Sequence, residues 1–156
     1  KNMMSKGLVM TGDWKEQISV EYAKLDNFEA FLAKIWEMSL TAFDQPREVQ
    51  VVIDADEKLF MTHGNPGLVW FDSPPAGMKI PVKCWIHTHP FGHAYFSSTD
   101  WATINTWKPI MNCAIVLGEN QRMTWTQNSD FTHYERWDYN GIDEAQTTLD
   151  EYEGEE

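Results

Sequence analysis

The chain of 156 residues carries 24 acidic and 12 basic side chains, which gives a net charge of −12. A chain of this length is typical of a single domain that buries about two thirds of the surface of its unfolded form. Clustered Lys and Arg, which contact with phosphates requires, are missing, so the composition argues against a nucleic-acid partner.

Membrane, secretion and disulfide signals are also missing from the sequence. No apolar run approaches the roughly 18 residues of a membrane span, and the first residues lack the basic-then-apolar pattern of a signal peptide. Cys84 and Cys113 lie in separate apolar runs and do not form a C-x-x-C pair. We therefore expect a soluble, cytoplasmic protein with reduced thiols.

The acidic charge is concentrated towards the end of the chain. Residues 141–156 contain seven acidic side chains and no basic one, which is typical of a solvated, disordered segment and less often of a docking or autoinhibitory element. We expect one folded domain over residues 1–140 and an acidic tail over residues 141–156.

The first third of the chain predicts two strands and one helix. The sequences "GLVM" (7–10) and "QISVEY" (17–22) read as short strands around a Gly-Asp turn. Apolar residues then recur at intervals of three and four, which predicts an amphipathic helix over residues 27–43 with Asp26 or Asn27 as its N-cap.

The middle of the chain is rich in strand signals. "EVQVVID" (48–54) and "KLFMT" (58–62) flank a polar turn and predict a hairpin. "LVWF" (68–71) reads as a third strand between Gly- and Pro-rich turns, and residues 80–89 as a fourth. Pro90 should end the pairing of that fourth strand, because proline has no N–H to donate.

The last elements are predicted to be a helix and a second hairpin. The segment 97–107 begins with capping residues and places Trp101, Ile104 and Trp107 on one helical face. Residues 111–127 contain two apolar runs around the turn "ENQ" and predict a hairpin. The fold class is therefore α/β, with helices flanking a mixed sheet, and the eight tryptophans are expected mainly in its core.

The stretch "WIHTHP" is the first candidate for chemistry. On a strand, His87 and His89 point to the same face with about 6–7 Å between their Cα atoms, while Thr88 points to the other. Two such imidazoles can converge on one metal ion. H-x-H also occurs by chance, so two surface histidines remain the alternative.

Ser97 and Asp100 extend this candidate site. A serine followed three residues later by an acidic residue is typical of a helix N-cap, which requires no metal. A carboxylate in the first turn, just after the H-x-H strand, is also well placed as a third ligand, and the two interpretations are compatible.

Together these residues resemble a known family. His87-Thr88-His89, seven residues, Ser97, two residues and Asp100 match the pattern H-[ST]-H-x7-S-x2-D of the JAMM (MPN+) metalloproteases, including the proline after the second histidine. The resemblance implies an MPN/JAB fold with a cytidine-deaminase-like three-layer architecture. It also implies a Zn²⁺ ion bound by His87, His89 and Asp100, with Ser97 stabilising the tetrahedral intermediate.

The family also has an upstream glutamate as general base, on the strand after the first helix. Glu48 occupies that place here, and "PREV" resembles the P-x-E-V of proteasome-lid deubiquitinases. The sequence departs from the family directly afterwards, because "QVVIDAD" replaces a glycine-containing run. Glu57, in the predicted turn, is therefore kept as an alternative base. The resemblance covers about residues 7–126, and residues 127–156 have no counterpart.

The resemblance implies a zinc-dependent isopeptidase that cleaves after the C-terminal tail of ubiquitin or a ubiquitin-like protein. In the family such a tail adds as a strand beside a flexible segment, for which residues 62–79 are the candidate. The alternatives are a non-catalytic MPN scaffold and a JAMM peptidase of another specificity, such as sulfur-carrier processing, a phage tail-associated peptidase or a RadC-like protein. The oligomeric state is left open.

Other nucleophile and ligand assignments fit less well. Cys84 with His87 as its base is disfavoured because odd spacing on one strand puts the two side chains on opposite faces. Ser97, His89 and Asp100 can be drawn as a hydrolase triad, but the G-x-S-x-G elbow is missing. His93 is a loop residue that can touch substrate or be merely solvated. His63 and His133 suggest no function.

Overall fold

The computed structural model describes residues 13–24, 27–64, 76–128 and 131–137. Within these residues there are three α-helices, namely α1 (Trp14–Ala23), α2 (Phe28–Thr41) and α3 (Ser98–Trp107), and a short 3-10 helix (Lys108–Ile110). The strands are β1 (Glu48–Ile53), β2 (Leu59–Gly64), β3 (Cys84–Thr88), β4 (Cys113–Gly118), β5 (Gln121–Thr126) and β6 (Phe131–Arg136).

The six strands form one mixed sheet in the order β2-β1-β3-β4-β5-β6. All neighbours are antiparallel except β3 and β4, in which Trp85 pairs with Ala114 and Thr88 with Leu117. A parallel pair needs a crossover connection, and α3 with the 3-10 helix provides it. The sheet therefore presents the end of β3 directly to the start of α3.

Helices cover both faces of the sheet, in three layers. Because successive strand residues alternate faces, Ile86 and Leu117 pack on the side of α1 and α2, whereas Trp85 and Val116 pack on the side of α3. The first core also contains Ile18, Phe31, Ile35 and Val51, and the second contains Ile104, Trp107 and Trp125. The predicted α/β class is confirmed.

Several predicted elements are confirmed in place. The helix predicted over 27–43 is α2, and the Asn27 side chain accepts a hydrogen bond from the Ala30 N–H as its N-cap. The two predicted hairpins are β1–β2 and β4–β5. The strand predicted over 80–89 is shorter, since β3 covers only Cys84–Thr88.

The strand predicted at "QISVEY" is wrong, because these residues belong to α1. Trp14 and Ile18 are buried, and Tyr22 packs against the same core, which is the spacing of one helical face. Val20, which a strand would place on the same face as Ile18, is half exposed instead. The strand predicted at 7–10 lies outside the described residues.

Other differences concern the later part of the chain. Trp101 does not share the buried face of Ile104 and Trp107, but contacts Phe96 at the surface with a centroid distance of 5.4 Å. Strand β6 was not predicted at all. Of the eight tryptophans, those at positions 14, 36, 85, 107, 125 and 137 are buried, as expected. The predicted strand at 68–71 and the acidic tail at 141–156 lie outside the described residues.

No helix among the described residues is long and apolar enough to cross a membrane.

Candidate metal centre

Strand β3 and the residue that directly follows it direct His87 and His89 to the face of the sheet that α3 covers. Their ring centroids are 5.1 Å apart. The His87 ring is buried and stacks on the Trp85 indole at 4.5 Å and 16°. Trp85 is held in turn, because its Nε1–H donates to the side chain of the buried Gln50 at 2.9 Å. The same-face arrangement predicted from the H-x-H spacing is confirmed.

The start of α3 supplies the third side chain through a capping box. Ser97 is the N-cap, and its Oγ accepts a hydrogen bond from the Asp100 N–H at 3.1 Å. Asp100 Oδ2 accepts one from the Ser97 N–H at 2.9 Å. These two bonds fix the carboxylate in the first turn of the helix, pointing towards β3.

The three side chains converge on one point. Asp100 Oδ2 lies 3.0 Å from His87 Nε2 and 3.5 Å from His89 Nε2, and one ligand atom from each of the three residues lies within 4.8 Å of the others. Bonds of about 2.0–2.1 Å to a tetrahedral ion would separate two ligand atoms by about 3.3 Å. The separations from Asp100 match that value, so His87, His89 and Asp100 can hold a metal ion.

The second nitrogen of His89 is also engaged. His89 Nδ1 lies 3.2 Å from the backbone carbonyl oxygen of His93. Donation of the Nδ1–H to that carbonyl leaves Nε2 as the nitrogen with a lone pair, which is the usual arrangement in a metal-binding histidine. His87 lacks such support: its buried Nδ1 has no hydrogen-bond partner among the described residues.

The loop that contains Gly92, His93 and Ala94 packs against the turn between β4 and β5. The Gln121 side chain accepts a hydrogen bond from the Ala94 N–H at 3.0 Å, and the Glu119 N–H donates to the Gly92 carbonyl at 3.0 Å. Gly118 allows this approach, because a Cβ at that position would lie 2.4 Å from Ala94 N. Gly118 was not recognised in the sequence, since nothing in "AIVLGEN" links it to a histidine more than twenty residues away.

The environment shifts the pKa values of the three ligand side chains in different directions. Burial acts to raise the pKa of Asp100, but hydrogen bonds to His87 and His89 outweigh it and hold the pKa well below its ordinary value. Burial lowers the pKa of His87, which favours the neutral ring that a metal needs. Burial also acts to lower the pKa of His89, but Asp100, the His93 carbonyl and Glu48 raise it overall.

Glu48 is the first residue of β1 and faces the same site. A cleft of about 240 Å³ opens there, lined by Glu48, His89, Pro90, Phe91, Gly92, Tyr95, Ser97 and Asp100. Burial raises the pKa of Glu48 to about 7; His89 acts to lower it and Asp100 to raise it further. A carboxylate with such a pKa can both take up and release a proton near neutral pH.

Glu57, the alternative base, lies elsewhere. It is outside the lining of the cleft and has a left-handed backbone with φ of 66°. Its carboxylate accepts hydrogen bonds from the Tyr22 hydroxyl at 2.7 Å and from Lys83 Nζ at 2.8 Å. These hydrogen bonds lower the pKa of Glu57, so its contacts are those of a structural ion pair.

The competing assignments are not brought together by the fold. Cys84 packs on the α2 side of the sheet, 3.0 Å from Cys113 Sγ, whereas His87 is on the α3 side. A Ser97-His89-Asp100 triad requires a contact between His89 and the Ser97 hydroxyl. Among the described residues, the His89 nitrogens contact Asp100 and the His93 carbonyl but not that hydroxyl.

The rings of His63, His93 and His133 are not part of the three-ligand group. His63 stacks on Phe43 with a centroid distance of 4.4 Å, and His133 pairs with Glu135 on β6. His93 is exposed and contributes its backbone carbonyl. Tyr95, which the sequence did not single out, packs edge-on against the His89 ring at 4.9 Å.

No protein-family model, no curated protein and no solved structure matches this chain. The motif and the geometry of the site therefore carry the functional argument.

Proposed function

We propose that this chain is a zinc metallopeptidase of the JAMM type, with an MPN/JAB, cytidine-deaminase-like fold. Its reaction would be hydrolysis of the peptide or isopeptide bond after the C-terminal tail of ubiquitin or a ubiquitin-like protein. The observation that carries this proposal is the convergence of His87, His89 and Asp100, two of which line the same cleft as Glu48 and Ser97.

The choice of zinc rests on the type of ligands and on the motif. Two neutral imidazoles and one carboxylate are the ligands of catalytic zinc sites that retain an exchangeable position. The open cleft beside the three side chains is where a substrate carbonyl could reach such a position. When bound, the ion would act as a Lewis acid that polarises a carbonyl oxygen and lowers the pKa of water towards about 7.

Glu48 and Ser97 have complementary roles in this proposal. Glu48 takes a proton from the attacking water and delivers it to the leaving amine. The burial that raises the pKa of Glu48 also makes its carboxylate a stronger base than an exposed one. The Ser97 hydroxyl accepts the hydrogen bond of the helix cap, so its hydrogen can be donated to the developing oxyanion.

The position of β2 supports an extended substrate. It is an edge strand of the sheet, and its last residue, Gly64, pairs with Glu48. A tail that adds beside the segment 62–79 would therefore run towards the base. Residues 65–75 of that segment lie outside the described residues.

The test is to incubate the purified chain with a panel of ubiquitin and ubiquitin-like fusions after its metal content has been measured. We expect about one zinc per chain, cleavage directly after the tail, and loss of cleavage with a chelator. Protein that is carefully purified and contains no metal would refute the zinc site. Protein that holds zinc but cleaves no fusion or peptide would refute the peptidase and favour a binding module.

A further inference from the structure

Thr88, the residue between the two histidines, points away from the metal site and is fully buried. Its Oγ1 accepts a hydrogen bond from the Val49 N–H at 2.9 Å. The same hydroxyl donates to Ser39 Oγ at 3.0 Å. Thr88, the last residue of β3, thus links this strand to Val49, the residue that follows Glu48.

Ser39, which is buried on α2, continues this chain of hydrogen bonds. Its hydroxyl donates to the carbonyl of Arg47 at 2.6 Å. Its own carbonyl accepts from the Arg47 N–H at 2.9 Å. Ser39 therefore fixes both polar backbone groups of the residue that precedes Glu48.

We propose that Thr88 and Ser39 are positioning residues for Glu48. Their hydroxyl relay holds the backbone on both sides of Glu48 and sets its distance from His87 on β3 and from His89 directly after it. The inference rests on the proposed function in one respect, namely that Glu48 is the base.

The pairing of the sheet explains why such a relay is needed. The register of β1 with β3 runs from Ile53–Cys84 to Gln50–His87 and does not extend to Glu48. At Glu48 the pairing is with Gly64 of β2, at the edge of the sheet. The Val49 N–H bond to the Thr88 side chain thus joins β3 to the start of β1 beyond the final register pair of these two strands.

This arrangement couples two parts of the site that lie far apart in sequence. Side chains 87 and 89 face the metal position and side chain 88 faces the relay, because neighbours on a strand alternate faces. A short shift of the β1 start would move Glu48 relative to both histidines. A displacement of about 1 Å in an active site can cost about a hundredfold in rate.

The experiment compares Ser39→Ala and Thr88→Val with Thr88→Ser, which keeps the hydroxyl. Thr41→Val is the matched control, since its exposed hydroxyl donates to the Glu37 carbonyl within α2. The full chain is used, and zinc content, kcat, KM and amide hydrogen exchange are measured. Exchange is followed in the metal-free protein, so this readout is independent of activity.

We expect Ser39→Ala and Thr88→Val to retain zinc and to lose about tenfold or more in kcat, with KM changed by less than about twofold. The Val49 amide should exchange at least about tenfold faster in these variants. Thr88→Ser and Thr41→Val should match the wild type in all four measurements. If Thr88→Val does not fold, Ser39→Ala is compared with Thr88→Ser instead.

The outcomes separate this inference from the proposed function. If the wild type cleaves fusions and Ser39→Ala has unchanged kcat, the relay does not position the base. If the wild type cleaves nothing, the peptidase proposal fails, and the relay is judged by exchange alone. Unchanged protection of the Val49 amide in Ser39→Ala would then overturn it, and faster exchange would support the backbone restraint.

Discussion

Asp100 Oδ2 lies 3.0 Å from His87 Nε2, and the same oxygen accepts a hydrogen bond from the N–H of Ser97, the N-cap of α3. One atom thus fixes the start of a helix and faces the metal position. Helix capping and ligand placement are two results of one local structure, because the capping box determines where the carboxylate points.

Variants of this pair should separate the two roles. Asp100→Asn keeps an oxygen that can accept from the Ser97 N–H but loses the anionic ligand, so zinc affinity should fall by more than about 100-fold. Ser97→Ala keeps all three ligands and loses the cap, which should cost about 1 kcal/mol of folding free energy. Competition with a zinc indicator and urea unfolding measure these effects. Zinc binding by Asp100→Asn at wild-type affinity would show that Asp100 is only a cap.

The contact between Gly118 and the loop leads to a second prediction. In Gly118→Ala the new Cβ meets the backbone of Ala94, so the loop must move and the His93 carbonyl should leave His89 Nδ1. Loss of such a supporting bond typically lowers metal affinity by about 10- to 100-fold. Gly92→Ala is the control in the same loop, because a Cβ there meets nothing within 4 Å. Equal zinc affinities of the two variants would refute this role of Gly118.

Asp54 allows a prediction about stability and pH. Its buried Oδ1 accepts from the N–H groups of Asp56 and Lys58, and Oδ2 accepts from the Lys79 N–H. Burial acts to raise the pKa of Asp54, but these bonds hold it below its ordinary value. In Asp54→Asn an amide nitrogen must face one of these donors, which should cost about 1–3 kcal/mol at neutral pH.

The sign of the pH dependence follows from that lowered pKa. The ionised Asp54 stabilises the fold above the pKa of the unfolded chain, about 3.9, and this stability is lost as the pH falls through the lower folded pKa. The difference in unfolding free energy between wild type and Asp54→Asn should therefore shrink below about pH 4. Asp56→Asn, exposed in the same turn, is the control. A difference that stays constant from pH 7 to pH 3 would contradict this account.

The sequence predicted those features that depend on local pattern. Helix α2, both hairpins and the placement of His87 and His89 on one face follow from residue patterns that act over a few residues. The α1 segment predicts a strand because Ile18, Val20 and Tyr22 alternate with polar residues. It forms a helix instead, in which Trp14, four residues before Ile18, is buried on the same face. Strand β6 was not predicted because "FTHYER" is mainly polar, although it pairs in a hairpin with the strand that directly precedes it.

The sequence also could not predict the residues that support the site from outside the cleft. The bond between Ser39 and Thr88 spans 49 residues, and Gly118 touches a loop that precedes α3. Hydroxyl residues on helices and a glycine at the end of a strand are too common to indicate such roles. They become visible only when the register of the sheet is known.

Glu48→Gln gives the most direct test of the catalytic assignment. The amide has nearly the same shape but cannot take a proton, so kcat should fall by about 10²- to 10⁴-fold while zinc remains bound. Glu57→Gln is the matched control, since its partners are Tyr22 and Lys83, away from the cleft. It should keep wild-type kcat and lose only a small amount of stability, as expected for an exposed ion pair. Cleavage of a ubiquitin-like fusion and zinc content decide the matter: an active Glu48→Gln with an inactive Glu57→Gln would reverse the assignment of the base.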